Sequence, residues 1–166
     1  MDAIHALKST LHYSSRQISR ELLEEILSAA VCGHAGTDSP PCQFVVITAR
    51  TILDAIPAFH SSADMVREAP LAIVVCRDLR LLDEHELWFR ECCVASESIL
   101  IAVQAHGLGA VRLSIHPVEE RVIGMRRLLG LPDEIVPISL IPLGYPAAEQ
   151  PVPRQFDTAS VHYNHW

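Results

Sequence analysis

No stretch of this chain comes near the roughly 20 consecutive apolar residues that a helix needs to cross a bilayer, so no segment reads as a membrane span. Met1 to Ser9 hold no apolar core of the kind a secretory signal carries, and a cytoplasmic protein is expected. A basic excess is missing too: 13 Lys and Arg stand against 20 Asp and Glu, a net charge of -7. Neutralising phosphates needs a basic face, so nucleic acid is not an expected partner. The cysteines number five, an odd count without the spacing of a disulfide framework, as in reduced cytosolic proteins. Zinc-type spacings are also lacking. Cys32-x-His34, Cys92-Cys93 and His162-x-x-His165 are the available clusters, and none matches C-x-x-C or H-E-x-x-H. No serine sits in a G-x-S-x-G elbow. A Cys42–His34 pair is conceivable, but a lone loop cysteine is usually not catalytic. Gly107-Leu108-Gly109 is too short for a dinucleotide fingerprint and follows a helix, so it reads as a tight helix-to-strand turn. Repeats, low-complexity tracts and long linkers are absent, and residues 1–166 are expected to form a single domain.

What is present is apolar surface. Hydrophobic residues make up 49% of the chain, and a soluble protein this apolar is expected to hide surface in an oligomer interface. The most apolar part runs from Glu68 to Leu113. Leu71 to Cys76 is an unbroken apolar run rich in β-branched residues, opened by Pro70 and closed by Arg77, which predicts a strand buried on both faces. Trp88 to His106 contains no Gly or Pro and ends at Gly107, which predicts a long helix with a glycine stop. Cys92, Ala95, Ile99, Ala102 and Val103 recur at helical spacing, and Val94, Leu100 and Ile101 fill other faces, as in a central core helix. Cys92 and Cys93 there read as small buried hydrophobes. Gly109 to Ile115 predicts a second buried strand.

The remaining segments pack onto this strand–helix–strand unit. Ser19 is a good N-cap for a helix whose stripe is Leu22, Leu23, Ile26, Leu27 and Ala30. Residues 34–42 read as a loop, Phe44 to Thr48 as a strand, Thr51 to Ala58 as a short helix capped by Thr51, and Ser61 to Ala69 as a helical turn. A helix begins near Pro117, carries Glu119 and Glu120 in its first turn and Arg126 and Arg127 in its last, and stops at Gly130, the charge order its dipole favours. Ile135 to Leu143 is a strand interrupted by Pro137 and Pro142 and so expected partly at an edge. The end, Ser160-Val-His-Tyr-Asn-His-Trp166, is aromatic and expected to dock on its own domain or on a partner chain. On physics alone this is an α+β domain with no self-evident catalytic side chains, which is compatible with an enzyme whose chemistry belongs to a cofactor.

Four segments together carry a family resemblance: Ser19 to Ala30, Glu68 to Cys76, Trp88 to Val111 and Arg126 to Pro137, with Leu143 to Ala147 and the aromatic end added. In order and spacing the chain resembles the FMN-dependent nitroreductase family over essentially its whole length. The resemblance implies a central mixed, mostly antiparallel sheet flanked by helices, and a homodimer whose C-terminal segments wrap the partner. It implies FMN at the interface and ping-pong transfer of reducing equivalents from NAD(P)H, as co-substrate, to a nitroaromatic, quinone or similar small acceptor, with no obligatory catalytic side chain and no metal. The family's R-R-S-x-R phosphate motif matches Leu7-Lys8-Ser9-Thr10-Leu11, which keeps Lys8 and Ser9. The family's flavin loop matches His34, Ala35, Gly36 and Asp38 on the way to Pro41. The aromatic and glycine beside the flavin ring match Arg112 and Ser114, with Leu113 between them, and the C-terminal phosphate arginine matches Gln155, next to Arg154. These are the implied cofactor residues. Their altered identities leave a second class open, a flavin-free or alternative-ligand binding or regulatory relative on the same fold.

Overall fold

A computed structural model of the protein describes residues 9–31, 42–80, 87–147 and 158–165. The described elements in chain order are helix α1 (Arg20–Val31), strand β1 (Cys42–Ile47), helix α2 (Arg50–Ala55) followed by two short 3-10 turns (Ile56–Ala58, Asp64–Arg67), strand β2 (Leu71–Asp78), helix α3 (Leu87–Ala105), strands β3 (Gly109–Ala110) and β4 (Leu113–Ser114), helix α4 (Glu119–Leu129) and strand β5 (Ile135–Gly144). The sheet runs β1-β2-β5-β3, with β4 also on β5. Every pairing between these strands is antiparallel. One isolated parallel bridge, Ser9 to Ala110, adds the N-terminal segment.

β2 explains its own sequence. All eight of its residues are buried. Because side chains alternate along a strand, Leu71, Ile73 and Val75 enter one core with α1 and α3. Ala72, Val74 and Cys76 enter a second, with Leu53, Ile56, Ile115 and Met125 on the other face. A strand covered twice has no polar side to show, so its run is continuous. Arg77 does not close it. The strand continues through Arg77 and Asp78, both buried, and Asp78 receives the backbone N–H and the guanidinium of Arg80.

β5 lies inside the sheet, between β2 and β3, and not at its edge. Both prolines have a place there. The β2–β5 register shifts between Val75 and Cys76, where Pro137 pairs, and a bulge is a site at which a strand tolerates a missing N–H. Pro142 faces Val111, whose N–H reaches the Pro142 carbonyl at 3.4 Å. The return bond from Pro142 cannot form, and here the strand expected over 109–115 divides into β3 and β4 at constant register.

The helix ends follow the sequence in most cases. The Ser19 hydroxyl accepts the Leu22 N–H at 3.2 Å, and Gly107 and Gly130 take left-handed φ of 70° and 62° at the stops of α3 and α4. Thr51 caps nothing: α2 starts from Ala49 without a side-chain cap. Arg50 instead donates to the Val66 and Ala69 carbonyls, stapling α2 to the segment that enters β2. No described helix is long and apolar enough to cross a membrane.

α3 buries Cys92, Ala95, Ser96, Ile99 and Val103 completely or nearly so, while Val94 and Ile101 on its other side, and Phe89 near its start, are exposed. It is therefore a core helix on one face only within this chain. Ile99→Ala empties the centre of the buried stripe and should cost about 2–5 kcal/mol of stability, read as a lower midpoint in urea denaturation.

Candidate cofactor cleft

The segment before α1 reaches the sheet at β3. Thr10 N–H donates to the Ala110 carbonyl at 3.0 Å, and Tyr13 hydroxyl donates to the Thr10 and Pro142 carbonyls. Gly109 is what admits it. A Cβ there would collide with the Thr10 side chain, itself buried. The turn is thus made by Gly107, and Gly109 serves a close chain crossing.

Beside that crossing lies a cleft lined by Ser9, Glu97, Leu100, Val103, Gln104, Ala110, Val111 and Arg112. Its wall is the face of α3 carrying residues 97, 100 and 104, one turn apart; its floor is β3. Arg112 stands at one side, Nε 3.3 Å from Glu97 Oε1 and Nη1 3.7 Å from the Cys93 sulfur. The two ion-pair side chains are 33% and 51% exposed, so their attraction adds only about 0–1 kcal/mol. What the pair does is aim the guanidinium. Cys93 is half-buried against that guanidinium and is not a core residue like Cys92. The arrangement offers an apolar surface (Leu100, Val103, Val111) with donors at its margin (Ser9, Gln104, Arg112), which suits a flat ligand with a polar or anionic edge.

Of the residues that the family resemblance implies, Ser9 and Arg112 meet in this cleft. Leu11 is 46% exposed, so it does not fill the core. Leu113 packs on the second core, away from α3. Ser114 is exposed, and its carbonyl receives His60 Nε2–H at 3.1 Å and the Arg121 guanidinium at 2.9 Å. Lys8, His34, Ala35, Gly36, Asp38, Arg154 and Gln155 lie outside the described residues. Sequence reasoning missed Glu97, Leu100, Val103 and Gln104. Their signal was present: Glu97 and Gln104 are polar residues seven positions apart, which puts them on one face of α3. Among the described residues no group of three His, Cys, Asp or Glu is placed to hold a metal ion.

This antiparallel sheet, sandwiched between helices and opened by a cleft at its short strands, is the nitroreductase fold. A structure from Bacteroides thetaiotaomicron, provisionally named NADH dehydrogenase/NAD(P)H nitroreductase, matches with a TM-score of 0.91 at 33% identity, covering 99% of this chain and 96% of that one. A protein from Desulfovibrio desulfuricans, provisionally named a nitroreductase and solved in complex with FMN, matches with a TM-score of 0.82 at 25% identity, over 99% and 96% of the two chains. In sequence, a Methanothermobacter thermautotrophicus protein with the same provisional name is 40% identical over 166 residues, 100% of this chain and 87% of its own length. The nitroreductase family model covers residues 58–145. The chain belongs to the nitroreductase family.

The support under Ser114 carries a pH dependence. His60 is buried, its Nε2–H is committed to the Ser114 carbonyl, and Nδ1 has no hydrogen-bond partner among the described residues. Burial first, and the nearby Arg121 charge second, push its pKa below the usual 6.5. A folded-state pKa below the unfolded value favours the neutral ring, so the stability it contributes is present above the unfolded pKa and lost as pH falls below it. Unfolding free energy should decline from about pH 7.5 to about pH 5.5, and His60→Gln should flatten that decline.

Proposed function

We propose that the protein is a flavin-dependent oxidoreductase that passes reducing equivalents from NAD(P)H to a nitroaromatic, quinone or similar small acceptor, with FMN held in the cleft beside β3. The observation that carries this reading is the meeting of Ser9 and Arg112 over the apolar floor of one cleft, in a chain of this family. FMN, when bound, supplies the two-electron redox chemistry. The chain's own residues bind and orient it. Leu100, Val103 and Val111 exclude water from its flat faces, and Arg112, aimed by Glu97, donates to its polar edge, which an arginine fork does well. Ser9 stands where it would meet the phosphate; Lys8, His34, Ala35, Gly36, Asp38, Arg154 and Gln155 are proposed as further cofactor residues on the family resemblance, and lie outside the described residues. No side chain acts as an obligatory acid or base. The free thiols Cys42, Cys76, Cys92 and Cys93 suit a cytoplasmic setting.

Leu11 favours a second reading. It is exposed at a position where the resemblance expects a cation, so a ligand without a phosphate would fit there better than FMN. Titration of apo-protein with FMN and with riboflavin separates the two. The first reading expects FMN to bind more tightly than riboflavin, by a modest margin that shrinks as salt is raised. Equal affinities would favour the second. Because Leu11 is outside the core, Leu11→Arg should fold normally and tighten FMN by about 10- to 150-fold, the equivalent of roughly 1.5–3 kcal/mol for one charged hydrogen bond. Riboflavin affinity should not change.

The same reading includes a homodimer. α3 leaves Phe89, Val94 and Ile101 exposed, and in the tail residues 159–165 are exposed, Tyr163 to 83%. Two such surfaces satisfy each other. Truncation before Arg154 should convert a dimer into a monomer or an aggregate in sedimentation velocity, and a dimer that survives truncation would remove the tail from the interface.

A further inference from the structure

Cys42 and Cys92 have no role in the cleft, yet they meet. Cys42 opens β1, Cys92 sits on the buried face of α3, and their sulfurs are 3.2 Å apart in a shared thiol–thiol hydrogen bond. Both are buried. We propose that this pair is a reversible thiol-modification site: low-molecular-weight disulfides of the oxidised-glutathione class convert it to an intramolecular disulfide that ties the sheet edge to the core helix.

Cys42 is the residue that reacts first with the external disulfide. It is the first residue of the edge strand, and the end of an edge strand is among the first places where a native sheet opens. It also becomes a thiolate more readily than its partner. The Cys92 thiol can donate to the Cys42 anion; that bond outweighs the opposing effects of burial and the Glu91 charge and lowers the Cys42 pKa, while it raises that of Cys92. The thiolate is the nucleophile in exchange. Cys42 Sγ attacks one sulfur of glutathione disulfide, forming a mixed disulfide and expelling one glutathione thiolate. Cys92 then loses its proton to solvent and attacks Cys42 Sγ, expelling the second glutathione. The protein loses two protons and two electrons, and the reagent gains them as two glutathione thiols. Two nearby cysteines serve as internal comparisons. Cys76 is buried and its thiol is pushed up to about 12 by that burial. Cys93 points to Arg112.

The test uses the native full-length protein, incubated with oxidised glutathione, blocked with an alkylating agent and read by mass spectrometry. The expected result is an intact mass lower by two hydrogens and a non-reduced peptide pair joining Cys42 to Cys92, both reversed by dithiothreitol, with Cys76 still alkylated only after unfolding. In Cys92→Ser the first step has no successor, so Cys42 should retain the glutathione adduct. Two alkylatable thiols at Cys42 and Cys92 after oxidation, or a bridge joining either of them to Cys32 or Cys93, would overturn the proposal. Neither outcome depends on whether flavin binds.

Discussion

A central strand that is apolar on both faces must be covered twice, and the rest of this molecule follows from that constraint. β2 sends Leu71, Ile73 and Val75 towards α1 and α3, and Ala72, Val74 and Cys76 towards α2 and α4. Each buried apolar side chain contributes about 1.5–3 kcal/mol relative to exposure, so leaving either face open would cost most of what a domain of this size has to spare. β5 then takes its place next to β2, carrying two prolines inside the sheet. Pro142 in turn weakens the next ladder, and the short strands β3 and β4 result. The cleft occupies that weakened edge, where the N-terminal segment crosses Gly109.

A cleft beside short strands has a chemical consequence. Side chains there are not needed for packing, so they can change without unfolding the protein. Arg112 is held by an exposed partner, and Leu11 faces outward. Ser114 contributes its carbonyl to His60 and Arg121, so its backbone is fixed while its own side chain is exposed. Ligand preference can drift at such positions while the two cores stay intact.

The strand over 71–76, the helix over 88–106 and the caps at Ser19, Gly107 and Gly130 were legible because period, length and punctuation agreed there. Three features were not. Arg77 and Asp78 look like a strand end, but burial with partners keeps them in β2. The prolines of β5 suggest an edge, because a sequence does not show that one falls at a bulge and the other against a strand that tolerates the missing bond. Cys92 and Cys93 look alike, yet a 100° turn of the helix sends one to Cys42 and the other to Arg112. Of the cleft's lining, Ser9 and Arg112 had been singled out through their match to family motifs. The α3 wall was missed because nothing in the order of residues shows that β3 lies beside Glu97 and Gln104 and makes a cleft there.

The central claim is that the cleft between α3 and β3 is the flavin site, and a crystal structure of the protein grown with FMN tests it most directly. The account predicts flavin density against Leu100, Val103 and Val111, with the Arg112 guanidinium within hydrogen-bonding distance of the ligand and Ser9 on its phosphate side. Flavin density elsewhere on the protein, or an FMN-saturated crystal in which Arg112 turns away and this cleft holds only solvent, would contradict it.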